Sequence, residues 1–282
     1  MNIKILASES LGVRSYCTYV ETKSLKVIID PGCALGPNRF NLPPHKQEVE
    51  SLWECWERIN EYLKKSDFAI ITHYHYDHHH YRNANLYEGK TLFVKDFSTL
   101  NPRQRRRAEK FLEKLKLPRA VVVADGRNFY FGDTEIEFTK ALPHGYGRQD
   151  IKVIGVYIKE DKESMFYTSD ISGVLEDTLV DFLKNKQITT LIFDGFPLYI
   201  KGPVLKNKWF FDSLKKLDFL IRTCNIKNLI IDHHSSRTSD WKKYYEEILS
   251  NKNLNFVGTA AEFLKIEPKY LESMRRTLFA QK

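Results

Sequence analysis

The sequence predicts an α/β (α+β) protein built as a four-layer αββα sandwich, in which two β-rich halves are each covered by helices. One observation is the order of segments, because strands, a helix and strands are followed by strands, helices and strands again. Another is the almost wholly apolar character of several strand segments, which is expected of strands covered on both faces. No Gly/Ser/Pro-rich linker interrupts the chain, so residues 1–282 are predicted to form a single domain.

The first half opens with short apolar segments that contain β-branched or aromatic residues and are separated by polar residues. Strands are predicted at Ile3–Ala7, Ser15–Glu21, Leu25–Ile29, Phe68–Thr72 and Thr91–Lys95. A helix is predicted at Lys46–Lys65 because apolar residues recur on one face at helical spacing. The residues of that face are Val49, Leu52, Trp53, Trp56, Ile59 and Leu63. A second, basic helix is predicted at Pro102–Leu117.

The second half begins with a run of strands and then alternates helices with strands. Strands are predicted at Ala120–Val123, Phe129–Phe131, Thr134–Lys140, Ile151–Ile158, Met165–Thr168, Thr189–Phe193 and Asn228–Ile231. Helices are predicted at Leu175–Lys184, Lys208–Cys224 and Trp241–Ser250, and the segment Thr259–Ala280 is predicted to be helical with a break near Pro268.

Composition narrows the class of protein. Lys and Arg exceed Asp and Glu by 44 to 36, and the net charge of +8 favours acidic partners such as phosphoesters or nucleic acid. No segment has the length of a membrane span and no signal peptide opens the sequence, so we expect a cytoplasmic protein without a membrane partner. The four cysteines form no CxxC pair, which argues against a disulfide framework and a thiolate zinc site.

A dense histidine cluster, Thr72-His73-Tyr74-His75-Tyr76-Asp77-His78-His79-His80, follows the buried strand Phe68–Thr72. In an extended chain His73 and His75 point the same way, so two imidazoles can hold one metal ion. Where the chain then turns, Asp77 and His78 can reach a second metal. Five histidines in eight residues could not each find a separate buried partner, so the pattern predicts a metal centre.

The remaining histidines repeat this placement at strand ends. Of nine histidines, eight lie in the cluster, at His144, or in the pair His233-His234, and each place follows an apolar strand. Asp170 also ends an apolar strand, and its two carboxylate oxygens could bridge two metals. Asp232 could orient a histidine from behind the metal ligands. These side chains are predicted to meet at one edge of the sheets.

At this point the sequence resembles the metallo-β-lactamase superfamily, whose five motifs all occur in order. They are Asp30 in Ile29-Asp30-Pro31-Gly32, the HxHxDH motif of His73–His78, His144, Asp170 and His233. The segments Phe193–Tyr199 and Asn101–Arg107 further resemble an uncharacterised archaeal family of predicted metallo-hydrolases within that superfamily. The resemblance implies a hydrolase and supplies no substrate.

The resemblance also implies a set of roles. One metal would be held by His73, His75 and His144, and the second by Asp77, His78 and His233, with Asp170 bridging. Asp30 would orient the cluster from behind the ligands, and His234 is an alternative to His233. Ser169 stands where most of the superfamily has glycine. His79 is expected behind the ligands or facing substrate, and His80 is expected to be structural.

Two divalent metals would generate a hydroxide at neutral pH and stabilise the oxyanion that forms when it attacks, and Asp77 could also accept a proton. Zinc suits the histidine-rich set best, and iron or manganese is left open. The leading substrate hypothesis is a phosphoester or phosphodiester, because Arg148 and Arg237 flank ligand motifs and an arginine can pair bidentately with phosphate.

Several alternatives stay open. The enzymatic ones are hydrolysis of a lactone, thioester or amide, and an RNA nuclease whose arginine run Arg103-Gln104-Arg105-Arg106-Arg107 would contact the strand. A non-catalytic nucleic-acid-binding protein with structural metals is a further alternative, as is a diiron redox site, for which no flavin-binding module is evident. The sequence does not indicate an oligomeric state.

Overall fold

Two mixed β-sheets pack face to face in this computed structural model, which describes residues 1–145, 150–200 and 208–281. The first sheet consists of β1 (Asn2–Ser8), β2 (Tyr16–Glu21), β3 (Lys26–Ile29), β4 (Phe68–Ile71), β5 (Thr91–Val94) and β6 (Ala120–Val123). Its strands lie side by side in chain order. The first three pair antiparallel, and β3 through β6 pair parallel, so that the carboxyl ends of β3, β4 and β5 share one edge.

The second sheet mirrors this arrangement. Its strands and the nearby two-stranded ribbon are β7 (Asn128–Phe131), β8 (Thr134–Phe138), β9 (Leu142–Pro143), β10 (Lys152–Val153), β11 (Val156–Glu160), β12 (Glu163–Tyr167), β13 (Thr190–Phe193), β14 (Asn228–Ile231) and β15 (Phe256–Gly258). The sheet order is β7-β8-β11-β12-β13-β14-β15, and β9 pairs only with β10. Strands β12 through β15 are parallel and again present their carboxyl ends at one edge.

Helices cover the outer face of each sheet. The α-helices of the described residues are α1 (Lys46–Lys65), α2 (Pro102–Leu112), α3 (Asp177–Leu183), α4 (Phe210–Thr223), α5 (Glu246–Leu249), α6 (Ala260–Phe263) and α7 (Arg275–Ala280). Residues of α1 and α2 share an apolar cluster with the first sheet, and residues of α3 and α4 share one with the second. Among the described residues, no helix combines the length and apolar character needed to cross a membrane.

The period-two alternation of strand side chains explains the layers. In β4, Ala69 and Ile71 pack toward the helices, whereas Ile70 points into the core between the two sheets. In β13, Leu191 packs toward α3 and α4 while Ile192 enters the same central core. Both faces of these strands are therefore buried, which is why their sequences are continuously apolar. The predicted αββα sandwich is confirmed.

Several predicted boundaries are wrong. The predicted strand Ile151–Ile158 is split into β10 and β11 at Gly155, where a Cβ atom would lie 2.5 Å from the Phe166 ring. The helix predicted at Trp241–Ser250 is a 3₁₀ turn, Trp241–Tyr244, followed by the short α5. The basic helix ends at Leu112 rather than Leu117. Segment Thr259–Ala280 contains two short helices, and β15 was not predicted.

The buried face of α1 also differs from its prediction. Trp53 is 66% exposed and Val49 is 39% exposed, although both belong to the predicted apolar face. Ile59 and Leu63 are buried as predicted, but nearer the helix start the buried stripe contains polar residues. One of these is Glu48, which is held in place by an ion pair with Arg275, so a charged partner rather than apolarity sets the orientation of the first turns.

Candidate metal centre

The parallel strands of both sheets deliver polar side chains to the same edge. Asp30 follows β3, and His73 follows β4 after one intervening residue. In the second sheet Asp170 lies just beyond β12, Asp194 directly follows β13, and His233 lies just beyond β14. Because the carboxyl ends of parallel strands converge at one edge, residues distant in sequence form one compact group.

The Asp170 carboxylate lies at the centre of this group. Its Oδ2 atom is surrounded by the Nε2 atoms of five histidines, at 3.2 Å for His78 and His144, 3.3 Å for His233, 3.6 Å for His73 and 3.8 Å for His234. The side chain is 2% exposed. Imidazole nitrogens converging on a buried carboxylate form the kind of donor set that binds divalent metals.

The donors divide into overlapping sets whose atoms lie within 4.8 Å of one another. Two of these sets are His73, His75, His144 with Asp170, and Asp77, His78 with His233. A third contains Asp170, His233 and His234, and a fourth contains Asp30, His73 and His78. The structure thus brings together all seven side chains that the sequence nominated as ligands.

Buried atoms without hydrogen-bond partners test whether this group suits a metal. Within the described part of the chain, His78 Nε2, His144 Nε2 and Asp170 Oδ1 are buried and make no hydrogen bond. Such atoms are costly unless a further partner satisfies them. All three belong to the donor sets, and nitrogen and carboxylate oxygen are the donors that zinc and related divalent metals accept. The residues therefore fit divalent metal binding.

Asp30 fixes the orientation of this group from the side opposite the donors. Its carboxylate accepts hydrogen bonds from the backbone N–H of Thr72 at 2.8 Å, the Thr72 hydroxyl at 2.6 Å and the Tyr167 hydroxyl at 2.9 Å. The Nδ1 atom of His78 lies 2.8 Å from the same carboxylate. With Nδ1–H donating to Asp30, the other ring nitrogen of His78 is the atom that faces Asp170.

Burial and charge set the protonation of the donors. Burial and the charge of His78 hold the pKa of His73 well below its usual value, and burial with His144 lowers that of His75 to about 3. Both rings are therefore neutral, the form that coordinates metals. Burial opposes protonation of His78, but Asp170 and Asp30 outweigh it and raise its pKa. The same negative charge that retains a proton there favours a metal cation.

A resident arginine distinguishes the second donor set from the first. The Arg237 guanidinium places Nη2 3.1 Å from His233 Nε2 and 3.9 Å from Asp77 Oδ2. Its Nη1 donates to the Tyr199 hydroxyl at 3.1 Å, and its Nε donates to the buried Glu9 carboxylate. A positive charge therefore borders the Asp77 set, whereas no such cation is bonded to the described donors of the His75 set.

The donors open into a cavity of about 840 Å³. Its walls include His75, Asp77, His144, Asp170 and His234, together with Arg14, Arg103, Arg107, Tyr199 and Arg237. Arg14 forms a bidentate pair with Glu272, with both contacts at 2.6 Å, and Arg237 is bonded to Glu9. The cavity is thus lined by both candidate metal donors and cations, and Asp150 also belongs to its wall.

Comparison with known proteins gives the family of this fold and centre. A family model described as a beta-lactamase superfamily domain matches residues 26–198. A UPF0282 protein of the archaeon Saccharolobus islandicus is 38% identical across 289 aligned positions, which cover 100% of this chain and 94% of that protein. The chain belongs to the UPF0282 family of the metallo-β-lactamase superfamily. This places it in a superfamily of metallo-hydrolases.

Solved structures share the fold at low sequence identity. An isothiocyanate hydrolase from Delia radicum gut bacteria aligns with a TM-score of 0.55 at 16% identity, over 86% of this chain and 94% of that one. Igni18, a metallo hydrolase from the archaeon Ignicoccus hospitalis, aligns with a TM-score of 0.52 at 13% identity, over 94% of each chain. These likenesses support the metallo-β-lactamase fold.

Ser169 stands where the resemblance described above leads us to expect glycine. Its φ of +57° is in the left-handed region, which glycine adopts more readily than serine. The hydroxyl lies 2.5 Å from the Thr72 hydroxyl and 3.5 Å from His73 Nδ1. Serine therefore carries a backbone cost of about 1–2 kcal/mol and adds a polar contact to a candidate ligand.

Three further sequence predictions have different outcomes. His79 is fully buried and its Nδ1 lies 2.9 Å from the His75 carbonyl oxygen, so it braces the loop from behind rather than facing the cavity. His80 packs on the Trp56 ring at a centroid distance of 3.9 Å, in keeping with the structural role expected of it. Arg148 lies outside the described residues.

Two carboxylates have roles that differ from the sequence analysis, which gave none to Asp194 and proposed that Asp232 orients a histidine. Asp194 lies 2.8 Å from His234 Nδ1 and accepts from the Ser172 backbone N–H at 2.6 Å, and burial together with Asp170 raises its pKa. Its position directly after an apolar strand was the signal that could have identified it. Asp232 accepts from the backbone N–H groups of His233 and Ala260, so it fixes a turn rather than an imidazole ring.

Proposed function

We propose that the chain is a dinuclear metal-dependent hydrolase that acts on phosphoesters, phosphodiesters included. The observation that carries this proposal is the buried Asp170 carboxylate with five histidine nitrogens 3.2–3.8 Å from one of its oxygens. A carboxylate between two nitrogen-rich donor sets suits a bridging role between two metals. Membership of a metallo-hydrolase superfamily supports the reaction class.

In this proposal His73, His75 and His144 would hold one metal, while Asp77, His78 and His233 would hold the other. Asp170 would be a ligand shared by both. Zinc fits the nitrogen-rich set best, and iron or manganese would also accept these donors. His234 faces the same carboxylate and is the alternative to His233. Free, buried cysteines suit the reducing cytoplasm, where we propose that the protein acts.

Bound divalent metals would supply an activated water and stabilise negative charge on the substrate. The protein's own groups define what happens around that chemistry. Asp77 lies at the cavity wall with its side chain 16% exposed, so its carboxylate can accept a proton from a group bound there. The Arg237 guanidinium and the Tyr199 hydroxyl border the same side and can donate hydrogen bonds to an anionic oxygen.

The charge of the cavity supports an anionic substrate. Arg14 and Arg237 are neutralised by Glu272 and Glu9, but Arg103 and Arg107 have no carboxylate partner among the described residues. Two uncompensated guanidinium groups beside a metal centre attract phosphate oxygens more strongly than neutral lactones or amides. This favours a phosphoester over the lactone, thioester or amide that the sequence alone left open.

The proposal is tested by metal analysis coupled to a substrate screen. Protein purified without chelator is assayed by inductively coupled plasma mass spectrometry and then offered chromogenic phosphomonoesters, phosphodiesters, lactones and thioesters. We expect two metal equivalents per chain and turnover of at least one phosphoester class. Turnover of a lactone or thioester with none of any phosphoester would overturn the substrate class, and one tightly held equivalent at saturation would overturn the dinuclear centre.

A further inference from the structure

The cavity above the candidate metal centre continues outward along α2. An adjoining cavity of about 510 Å³ shares four of its walls, Tyr76, Pro102, Arg103 and Arg107. Arg106 and Lys110 complete the lining of this outer cavity. Four cationic side chains therefore lead from the surface to the buried donors, and we call Arg103, Arg106, Arg107 and Lys110, with Tyr76, the basic path.

Helical spacing explains why these cations share one side. Residues 103, 106, 107 and 110 recur at three- and four-residue intervals and so lie along one face, spanning about 10 Å at 1.5 Å per residue. Gln104, Ala108 and Phe111 form the buried face. Arg105 points elsewhere and pairs with Glu109 at 3.0 Å, whereas the four path cations pair with no carboxylate among the described residues.

Aromatic rings lie between the cations. The Arg107 guanidinium lies 4.5 Å from the Tyr76 ring centroid, and the Tyr81 ring lies 4.4 Å from that of Tyr76. Arg82 and Lys114 each lie 5.5 Å from the Tyr81 centroid. Tyr76 is 37% exposed, so part of its ring is available to a ligand. Cations interleaved with exposed aromatics are typical of surfaces that bind single-stranded nucleic acids.

We propose that the basic path binds the backbone of a single-stranded nucleic acid, with its scissile phosphodiester at the metal centre. This rests on the proposed function and narrows its substrate class. A small phosphoester would need Arg103 and Arg107 and would leave Arg106 and Lys110, in the outer cavity, without a ligand. A flexible strand can also enter a cavity whose donors are buried, whereas a rigid duplex presents its phosphates on a broad convex surface.

Equilibrium binding tests the path separately from turnover. The metal-loaded protein is titrated into a 3′-fluorescein-labelled 12-nucleotide oligouridylate with cleavage-resistant phosphorothioate linkages and followed by fluorescence anisotropy, with gel electrophoresis verifying that the probe stays intact. The test variant is Arg106→Ala with Lys110→Ala, both of them exposed residues, and the matched control on the same helix is Arg105→Ala. Titrations are repeated between 50 and 200 mM salt, an interval chosen because phosphate contacts are strongly salt-dependent there.

We expect the double variant to weaken oligouridylate binding about ten-fold at low salt. The slope of log K against log salt should become shallower by about 1.4, because each of the two lost phosphate contacts contributes about 0.7. Arg105→Ala should retain wild-type binding. Uridine monophosphate should compete poorly, and a 12-base-pair duplex should bind more weakly than the single strand.

Distinct results would overturn the inference. A change in log K for Arg105→Ala half as large as that for the double variant would show that only net charge matters, because the control removes one positive charge and the double variant two. Displacement by equimolar uridine monophosphate would limit the site to one phosphate, and tighter binding of the duplex would exclude a single-strand path. Turnover of bis(p-nitrophenyl) phosphate without path-dependent oligonucleotide binding would remove this inference and leave the proposed function intact. Path-dependent binding without turnover of any phosphoester would instead contradict the proposed function.

Discussion

Asp77 is a candidate ligand that faces the cavity and is also the proposed proton acceptor, so its loss separates chemistry from folding. Replacement by alanine removes a proposed ligand and proton acceptor without opening the apolar core. We expect turnover of the phosphoester identified in the screen to fall on the order of 10²–10⁴-fold, the range of a positioned acid–base group. The far-ultraviolet circular dichroism spectrum should stay unchanged, as should that of Asp133→Ala, an exposed control with full activity. Full activity of Asp77→Ala with stoichiometric metal would contradict the dinuclear mechanism.

The adjacent histidines 233 and 234 make different contacts. His233 belongs to the set with Asp77 and His78, and its φ of +56° turns the chain so that both rings reach Asp170. We expect His233→Ala to bind one metal equivalent at saturation and His234→Ala to bind two, because His234 lies outside the Asp77 set. Equilibrium dialysis with zinc measures both stoichiometries. The reverse pattern would assign the last ligand to His234.

At the residue scale, the sequence predicted the donors because metal chemistry leaves a local pattern. Histidines at alternate positions after an apolar strand are recognisable without any tertiary information, and the structure brings all of them together. Asp194 and Glu9 were not assigned roles because their partners, His234 and Arg237, are fixed only by folding. Arg237 was placed near substrate on its position alone, and its buried pairing with Glu9 could not be inferred from one sequence.

The loop after β3 shows how an element's packing constrains the metal centre. A Cβ atom on Gly32 would lie 2.7 Å from the His78 carbonyl carbon and even closer to the His79 backbone nitrogen. Neither backbone atom can move without displacing the loop that contains His78 and His79. The glycine is therefore required by close approach of two backbones rather than by a left-handed conformation.

We expect Gly32→Ala to lower the free energy of unfolding by about 1–3 kcal/mol, the cost of overpacking, and to weaken zinc binding as well. Gly89→Ala is the comparison, because its added Cβ has no neighbour within 4 Å and meets only the strain of a φ of +71°. Its unfolding free energy should fall by about 1 kcal/mol with zinc affinity unchanged. Urea denaturation and zinc titration of both variants check this. Unchanged zinc affinity in Gly32→Ala would refute the packing argument.

At the element scale, segments with a continuous apolar run or strong helical spacing were predicted well, and the shortest strands were not. β6, β14 and the limits of α1 match their predictions, and β4 ends one residue earlier than predicted, because apolar runs and helical spacing act over several residues. β15 spans three residues and exists through pairing with β14, which no local pattern encodes. Part of the buried face of α1 was predicted wrongly. The ion pair with Arg275 buries Glu48 at the start of the helix, and Trp53 on the predicted face is left exposed.

The single-domain prediction for residues 1–282 concerns the whole molecule. Both sheets contribute side chains to one apolar core, with Ile70 and Phe93 on one side and Ile192 and Ile230 on the other. Neither half could be removed without exposing the other's inner face. We expect a protein with such a shared core to unfold in one cooperative transition.

A buried ion pair connects the first helix, α1, to the last helix, α7. Arg275 is fully buried and donates to both oxygens of Glu48 at 2.7 Å, and also to the carbonyl oxygens of Gly36 and Leu42. Arg275→Ala would leave the Glu48 charge buried without its partner, so we expect the free energy of unfolding to fall by about 3–5 kcal/mol. Urea denaturation measures this. Adding Glu48→Gln should recover part of the loss, and a loss under about 1 kcal/mol would contradict the contact.

The neighbouring pair of Arg14 and Glu272 makes stability depend on pH. Burial raises the pKa of Glu272, but hydrogen bonding to Arg14 outweighs it, and the net pKa is below the usual value. A depressed carboxyl pKa contributes stability above the unfolded value of about 4.3, and this is lost as pH falls through the folded pKa. Glu272→Gln should therefore be less stable than wild type at pH 7, with the difference shrinking below about pH 4. A constant difference would argue against the pair.

The Glu48–Arg275 contact also bears on how the protein is made. Its partners are separated by 227 residues, so at 5–20 residues per second a ribosome needs about 10–45 s between them. Asp170 similarly precedes His233 by 63 residues. During this interval the histidines of the nascent first half can bind metal ions from solution, but Asp170 and His233, which complete the candidate centre, have not yet been synthesised. Correct metal loading is therefore expected after release from the ribosome, once the second half has docked.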